Sequence, residues 1–438
     1  MERISTEFAV VGSGAGGGTI ARELALKGRD VVVLEKGRWH KQLGYMLSMA
    51  YLMDRMALFS RSKEGVLVDR AITAGGSTVV YAGNSFDPPA WLERDHGISL
   101  TAEVAEAKRE IGIKPFPDDW YGPGTMRLKE AAAGLGIDLV PQEKFIDPEK
   151  CDPTCDQCMF GCRKGAKWTT REYLEEARRN GAKLYLRADA REVMIGDGGK
   201  AEGVRAATPD GELVVEAGTV VLAAGGMGTP LILNRSGIWE AGSNFFMDPM
   251  AVVLGVRRQG RGTPGETTFT LASTDFVESD EFIVGSVGAK NALMTMMLRP
   301  STAWHLYKAM SYPRVMGMFA KIADSASGYI NYDGTMSKPM TELDQKRMSK
   351  GADVCEKVLV AAGCDPRSIG IVKEIGGHPG GTAAMGTVVD GDLQTRVEDL
   401  YVCDGSVFPR SPGVPPVLTI VALAKRLAGH LVPEETSS

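Results

Sequence analysis

The chain has 438 residues, of which 44% are hydrophobic and 24% charged, a balance that is ordinary for a globular protein of about two or three domains. Its 50 basic and 55 acidic residues leave a net charge of −5, which gives no reason to expect a nucleic-acid partner. No apolar run reaches the roughly 18–20 residues of a membrane span, so none is expected. A strand begins almost at once, without a signal-peptide pattern, and we therefore expect a cytoplasmic protein.

The first predicted unit is strand, glycine turn, helix and strand, in "EFAVVGSGAGGGTIARELALKGRDVVVLEKG". Gly12, Gly14 and Gly17 fit G-x-G-x-x-G, whose glycines permit the tight turn, the approach to a pyrophosphate and close helix packing. The phosphates would lie at the helix N-terminus, and Glu35 could accept a ribose hydroxyl. The pattern predicts dinucleotide binding, and the following "EKG" is typical of flavoproteins. The residues assigned to this site are Gly12, Gly14, Ala15, Gly17, Glu35 and Lys36.

Two more glycine-containing segments are candidates for the same site. The loop "RAITAGGSTVVYAGNSF" has small side chains and free amides that suit a backbone passing close to a flat ring. "AGTVVLAAGGMGTPLIL" reads as a buried strand, a turn at Ala224 and a helix, an arrangement that usually returns the chain to the same dinucleotide. The loop residues assigned to the site are Gly75, Gly76, Ser77 and Thr78.

Four cysteines, Cys151, Cys155, Cys158 and Cys162, lie within a dozen residues in "CDPTCDQCMFGCRKGAK", and only three others occur in the chain. Structural zinc sites usually split their ligands into two separated pairs, whereas one short loop supplies all four here. Disulfides are disfavoured in the cytoplasm, and such short spacings strain their geometry. An iron–sulfur cluster suits several cysteines on a compact loop. The residues themselves leave a cluster, zinc, and a disulfide or unligated form open.

A methionine-rich stretch runs from Leu293 to Lys321, "LMTMMLRPSTAWHLYKAMSYPRVMGMFAK". Flexible thioethers suit an adaptable apolar pocket and equally suit an ordinary core. If they line a pocket, the substrate is bulky and apolar, such as a terpenoid, a steroid or a long-chain alcohol. The residues concerned are Met294, Met296, Met297, Met310, Met316 and Met318, with Trp304 and Tyr307.

The C-terminal segment "PPVLTIVALAKRLAGHLV" has a helical period, and Pro416 suits its first turn. The helix N-terminus would offer unpaired amides and partial positive charge to a flavin pyrimidine, which stabilises an anionic reduced ring. Asp404, followed by Gly405, could accept hydrogen bonds from the flavin ribitol or from backbone amides.

Together these motifs resemble those of the glucose-methanol-choline (GMC) oxidoreductases over most of the chain. The matching pieces are the N-terminal fingerprint, "GGST", "VVLAAGGMGTPLILNRSGI", and a C-terminal block that contains "GGHPGGTAAMGTVVD" and "LYVCDGSVFPRSPGVPPVLTIVALAKRLA". The resemblance implies an α/β + β fold, with an FAD-binding Rossmann-like domain and a smaller substrate domain on an antiparallel sheet. It also implies bound FAD and hydride transfer to the flavin from a carbon that bears oxygen.

In this family, the histidine that matches His378 takes the alcohol proton as the hydride leaves. An ordinary imidazole pKa of about 6.5 suits that task, although a purely structural histidine is the alternative. A second family residue, Asn or His, is replaced here by Pro415, which has neither a side-chain donor nor an N–H. Either another group supplies this contact or the chemistry is not ordinary alcohol oxidation. The candidates for the contact are Tyr81, His305, Tyr312 and Asn331.

The resemblance also bears on the cysteines. In the FAD-linked sugar dehydrogenases of the gluconate and fructose type, cysteines in a comparable region hold an iron–sulfur cluster that carries electrons away from the flavin. We therefore expect a cluster on Cys151, Cys155, Cys158 and Cys162, with four irons favoured over three. The redox partner would be a ferredoxin, an electron-transfer flavoprotein, a cytochrome or a quinone pathway.

The sequence thus predicts an FAD-dependent dehydrogenase that oxidises an apolar alcohol and passes electrons through the cluster to a protein carrier. A flavin-dependent reductase or desaturase acting on a carbon–carbon double bond is one alternative, because such chemistry needs less help at oxygen. An electron-transfer flavoprotein subunit is another. The predicted domains are residues 1–95, 165–250 and 376–438 for FAD, 145–167 for the cluster and 251–375 for the substrate.

Overall fold

The computed structural model describes residues 1–54, 60–297 and 310–433. The helices are α1 (Ala15–Leu26), α2 (Met49–Leu52), α3 (Trp91–His96), α4 (Thr101–Ile111), α5 (Pro123–Ala133), α6 (Thr170–Arg179), α7 (Gly225–Arg235), α8 (Val277–Asp280), α9 (Ala289–Met297), α10 (Glu342–Ala361) and α11 (Val417–Leu431). The strands are β1 (Glu2–Val11), β2 (Val31–Glu35), β3 (Ser60–Arg61), β4 (Leu67–Val68), β5 (Lys114–Pro115), β6 (Val140–Pro141), β7 (Glu143–Lys144), β8 (Lys183–Leu186), β9 (Asp189–Ile195), β10 (Ala201–Thr208), β11 (Gly211–Leu222), β12 (Met250–Val256), β13 (Leu271–Ser273), β14 (Phe282–Val287), β15 (Val315–Ile322), β16 (Tyr329–Ile330), β17 (Met336–Ser337), β18 (Gly370–Gly376) and β19 (Leu400–Val402).

The first sheet contains the predicted N-terminal unit. Its strand order is β8-β2-β1-β11-β10-β9, with β19 beside β11. β1 pairs in parallel with both β2 and β11, and the run Phe8–Val11 is buried, as parallel strands covered on both faces require. β1 begins at Glu2, earlier than the apolar run indicates, because β11 is long enough to pair with its polar first half. The turns after β1 and β11 therefore lie next to each other.

The second sheet is mainly antiparallel, with the order β3-β4-β18-β12-β15-β14-β13-β6. Only β4 and β18 pair in parallel among its described strands. β3, β4 and β6 come from parts of the chain that precede residue 251. This architecture confirms the predicted fold class, a Rossmann-like sheet joined to a smaller antiparallel sheet.

The strand β15 shows why the methionine stretch divides between core and pocket. Successive side chains of a strand point to opposite faces. Met316 and Met318 are fully buried between the sheet and α10, whereas Phe319 and Lys321 line a cavity on the other face. Met294 of α9 also lines that cavity, and Met310 is 83% exposed. Trp304, His305 and Tyr307 lie outside the described residues.

The cysteine segment has little regular structure, with a short 3₁₀ turn at Cys158–Phe160 between β7 and α6. Across the described ranges, no helix combines the length and the apolarity that crossing a membrane requires.

Candidate active site

A cavity of about 620 Å³ lies where the turn after β1, the "GGST" loop and the C-terminal block meet the second sheet. Backbone atoms of the glycine turns form one part of its wall. Apolar residues on and beside the second sheet, among them Val252, Phe269, Ile283 and Phe319, form another. The same cavity contacts Glu35 and His378, so a dinucleotide and a substrate would share it.

The glycine turn has the shape that a pyrophosphate needs. Gly12 has φ +101°, and a Cβ there would lie 2.2 Å from the Ala223 oxygen. Gly14 immediately precedes α1 and lines the cavity, where an added Cβ would meet none of the described protein atoms within 4 Å. Gly76 packs against it, because a Cβ on Gly76 would lie 2.9 Å from the Gly14 Cα. The N-terminus of α1 and its free amides therefore open onto a cradle that only glycines leave clear.

Two neighbouring glycines serve packing. A Cβ on Gly17 would lie 2.0 Å from the Gly12 oxygen, which agrees with its predicted role in close helix packing. A Cβ on Gly16 would lie 1.7 Å from the Cys403 oxygen, a constraint that the motif did not reveal. The run of three glycines in "GAGGG" is the only sequence signal for it.

Glu35 is held by the turns around it. Its Oε2 accepts hydrogen bonds from the Ser13 amide at 3.1 Å and hydroxyl at 2.5 Å, and its Oε1 accepts one from the Gly37 amide at 2.5 Å. Burial raises the pKa of this carboxyl. Ser13, which the sequence did not single out, also accepts a hydrogen bond from the Gly75 amide at 3.0 Å. One hydroxyl thus joins the fingerprint, the acidic strand end and the "GGST" loop.

Asp404 joins the C-terminal block to the start of α7. Its Oδ2 accepts hydrogen bonds from the Gly225 amide at 2.8 Å and the Thr229 hydroxyl at 2.6 Å, and its Oδ1 from the Ser406 amide at 2.7 Å. Two of these three hydrogen bonds come from backbone amides, and burial raises the pKa of Asp404. Other cavity-lining residues that the sequence assigned to the cofactor are Ala15, Lys36, Ser77, Thr78, Ala224, Gly405 and Pro416.

His378 lies in the cavity against a buried ion pair. Its Nδ1 is 3.5 Å from Asp248 Oδ2, the outer limit of a hydrogen bond, and is buried without a better partner in the described chain. The imidazole is 22% exposed, and this surface faces the cavity. Asp248 also binds the Lys321 ammonium and the Ser411 hydroxyl. The carboxylate is thus placed at Nδ1 of the imidazole, while no residue of the described chain binds Nε2.

The charges around His378 favour its neutral form. Burial and the nearby Lys321 ammonium lower the pKa of His378, while Asp248 opposes them in part. Lys321 in turn lowers the pKa of Asp248 although burial acts in the opposite direction, so the carboxyl is ionised. A neutral imidazole beside an ionised carboxylate is the arrangement of a general base. The sequence did not single out Asp248, and Lys321 was named only as the last residue of the methionine-rich stretch.

None of the candidates that the structure describes is placed to supply the contact missing at Pro415. Tyr81 lines the cavity, but its hydroxyl donates to the Trp168 oxygen at 2.9 Å. Tyr312 lies in a separate surface depression. Asn331 binds the Thr335 hydroxyl in the hairpin β16-β17. His305 falls outside the described residues, and Pro415 itself lines the cavity.

The four clustered cysteines are free thiols, Cys158 buried and the other three half-buried. Burial raises the pKa of Cys151 to about 12, and the neighbouring thiols of Cys158, Cys162 and Cys155 add to the shift, so the four lie near one another. Within the ranges that the structure describes, however, no set of three or more His, Cys, Asp or Glu side chains is arranged to hold a metal ion. In this conformation the thiols do not form a ligand set.

Two buried lysines adjoin these thiols. Lys144 and Lys167 are both within electrostatic reach of Cys158, and burial lowers the pKa of each ammonium to about 8. Lys167 donates to the Cys158 oxygen at 2.6 Å, and Lys144 donates to Asn84 Oδ1 at 2.8 Å. Neither forms an ion pair with a carboxylate in the described part of the chain. The segment therefore has buried positive charge without a fixed counter-ion.

A Rossmann-like dinucleotide site that shares a cavity with a neutral histidine fits a flavin-dependent oxidoreductase. Two family models described as GMC oxidoreductase match residues 7–250 and 329–424. The chain belongs to the GMC oxidoreductase family, and its cofactor is FAD.

Several proteins are similar to this chain over most of its length. An uncharacterised GMC-type oxidoreductase of Mycobacterium tuberculosis is 29% identical, over 97% of this chain and 75% of its own. A long-chain-alcohol oxidase of Arabidopsis thaliana is 24% identical, over 96% of this chain and 68% of its own. A cholesterol oxidase of Acinetobacter baumannii is 24% identical, over 98% and 95%. A solved structure of pyridoxine 4-oxidase from "Mesorbium loti" superposes with a TM-score of 0.73 at 16% identity, over 97% of this chain and 99% of the other.

Proposed function

We propose that the protein oxidises the hydroxyl-bearing carbon of an apolar alcohol. The observation that carries this proposal is a neutral imidazole, His378, supported by an ionised carboxylate in a cavity with largely apolar walls. The long-chain-alcohol oxidase and the cholesterol oxidase among the similar proteins take substrates of the same character.

Bound FAD would be the two-electron acceptor. Its site would be lined by the turns after β1 and β11 and by the start of α11. The free nitrogen of His378 takes the hydroxyl proton while the carbinol carbon loses a hydride, so an alcohol becomes an aldehyde or ketone. The Asp248 carboxylate, whose Oδ2 lies 3.5 Å from Nδ1, stabilises the imidazolium that forms. Lys321 balances the charge of Asp248, which keeps the imidazole neutral before the substrate arrives.

The wall of the cavity favours a long or bulky apolar substrate. Met294 of α9 and Phe319 of β15 lie on it with other apolar side chains of the second sheet. Met294 is flexible and polarisable, so this part of the wall can adapt to different hydrocarbon shapes. Each methylene removed from water contributes about 0.8 kcal/mol. Selectivity should therefore rise with chain length until the cavity is filled.

The test is anaerobic reduction of the bound flavin by a series of primary alcohols and by a sterol. We expect the flavin absorption to bleach, with kcat/KM rising from short to long chains. Bleaching only by a reduced carrier, followed by reoxidation with an enone, would assign the protein to carbon–carbon reduction. If no organic compound bleached the flavin, the result would instead favour an electron-transfer subunit.

We also infer that the cysteine segment holds an iron–sulfur cluster, which would give the reduced flavin an outlet other than oxygen, to a protein carrier of the cytoplasm. Four neighbouring thiols and the uncompensated charges of Lys144 and Lys167 support this, because a cluster bound by four thiolates is anionic. Met159 and Phe160, inside the segment, line the flavin cavity. The thiols would have to converge further than they do here to bind it.

Anaerobically purified protein is expected to contain about three or four irons per chain, with matching acid-labile sulfide. Cys155→Ser should abolish most of this iron, since it removes a thiolate ligand. The matched control is Cys364→Ala, a buried cysteine outside the segment, which should retain it. Wild-type protein without iron and sulfide would contradict the cluster and leave oxygen as the simplest acceptor.

A further inference from the structure

Asp69 is a carboxyl group in the cavity that the mechanism above does not use. It directly follows β4, and its amide donates to the Gly376 oxygen at 2.9 Å, which extends the parallel pairing of β4 with β18. A Cβ on Gly377 would lie 3.9 Å from the Asp69 Cβ. Since His378 is the next residue, the strand pairing brings Asp69 beside the catalytic base, and both line the same cavity.

This carboxyl has no partner among the described residues. Its Oδ1 is buried and accepts no hydrogen bond. The adjacent Arg70 cannot neutralise it, because that guanidinium binds Asp54 Oδ2 at 2.8 and 2.6 Å. Burial raises the pKa of Asp69 to about 7. An unpaired polar group in a buried position costs stability, so its presence in the cavity calls for a partner from outside the chain.

Several other polar side chains in the cavity are already occupied, and Asn291, whose buried Oδ1 has no partner in the described chain, donates its amide N–H to the Met159 sulfur at 3.0 Å. Lys321 binds Asp248, the Tyr81 hydroxyl donates to a backbone oxygen, and Asp404 accepts three hydrogen bonds. Pro415 offers no donor at all. Asp69 is a cavity carboxyl beside His378 that has no such contact in the described chain, and in its protonated form it has a hydrogen bond to donate to a substrate oxygen there.

We propose that Asp69, in its protonated form, is a second catalytic residue that donates a hydrogen bond to the substrate oxygen beside His378. It thereby replaces the amide or imidazole that Pro415 cannot supply. As His378 takes the hydroxyl proton, negative charge develops on the oxygen, and a fixed donor stabilises that charge. The proposal rests on the proposed alcohol oxidation.

The test compares Asp69→Asn with Asp69→Leu, which have nearly the same shape as aspartate. Asparagine retains a donor and leucine does not. We expect Asp69→Leu to lower the rate of anaerobic flavin reduction by an alcohol by about 10²-fold, the usual effect of losing one such donor, and Asp69→Asn to stay within about tenfold of wild type. Neither variant should lower the Tm of the FAD-loaded protein, since each removes an unpaired buried carboxyl.

The pH dependence gives a readout that a structural role would not produce. The charged groups around Asp69 are Arg70 with Asp54, and His378 with the Asp248–Lys321 pair behind it. Because deprotonation removes the donor, wild-type activity should fall above about pH 7, whereas Asp69→Asn should not show this decline.

Equal rates for the leucine variant and wild type would overturn the proposal, as would loss of FAD or a lowered Tm in both variants. Binding of the alcohol, read from its perturbation of the oxidised flavin spectrum, tests the contact without turnover. If the leucine variant bound the alcohol as tightly as wild type, the proposed contact between Asp69 and the substrate oxygen would be wrong. If the wild-type protein instead bound alcohols more tightly than the leucine variant while none of them reduced its flavin, that result would overturn the proposed function.

Discussion

Replacing His378 by alanine is expected to slow flavin reduction by an alcohol by roughly 10²–10⁴-fold, the usual contribution of a positioned acid–base group. FAD should remain bound, because its cradle is built by the glycine turns and Asp404 and not by this imidazole. Anaerobic stopped-flow reduction of the flavin measures the rate, and the flavin absorption of the purified variant measures its occupancy.

The pH dependence provides the control for this variant. Burial lowers the pKa of His378, so the neutral base persists below the ordinary value of about 6.5. The wild-type rate should therefore fall only when the pH drops below that value, and the alanine variant should lose this acid limb. An unchanged rate and an unchanged profile would assign His378 to structure.

Replacing Gly14 by valine is expected to give a folded protein that binds FAD at least about 100-fold more weakly, which corresponds to roughly 2.7 kcal/mol. The added side chain would meet none of the described protein atoms close to its Cβ, but it would enter the cradle in front of α1. The dissociation constant follows from titrating the apoprotein with FAD, and circular dichroism checks the fold.

Two glycines serve as comparisons. Gly429→Ala, in α11, places its Cβ in space that the described chain leaves open and should bind FAD normally. Gly16→Val should fail to fold, because its Cβ would overlap the Cys403 oxygen. If Gly14→Val bound FAD as well as wild type, the pyrophosphate could not lie at this turn.

Local patterns were enough to predict the cofactor half of the protein. Gly12, Gly14 and Glu35 are tied to one strand–turn–helix–strand unit, and that unit has a fixed geometry once its strands pair in parallel. The close contact of Gly16 with Cys403 could not be predicted in the same way. It depends on where the last segment of the chain returns, more than 380 residues later.

The substrate half was only partly predictable, because its polar contacts cross between distant segments. Asp248, Lys321 and His378 come together through the second sheet, and none of the three is close to another in sequence. Composition could not assign the methionines of β15 to the core or to the pocket. Met318 enters the core and its neighbour Phe319 enters the cavity, a difference set only by the alternation of the strand.

The cysteines show a different limit of prediction from the sequence. Their spacing predicted a bound cluster, but whether the thiols form a ligand set depends on how closely the loop converges. In the described conformation that convergence is incomplete. Iron and sulfide analysis is therefore required for the cluster.

The most direct test of the central claim is anaerobic reduction of the flavin by a long-chain primary alcohol, compared with the same alcohol deuterated at the hydroxyl-bearing carbon. If that carbon gives up hydride in the cavity beside His378, both alcohols bleach the flavin and the deuterated one does so more slowly. If neither alcohol bleaches the flavin, while an enone reoxidises the chemically reduced protein, the alcohol-oxidation account is wrong.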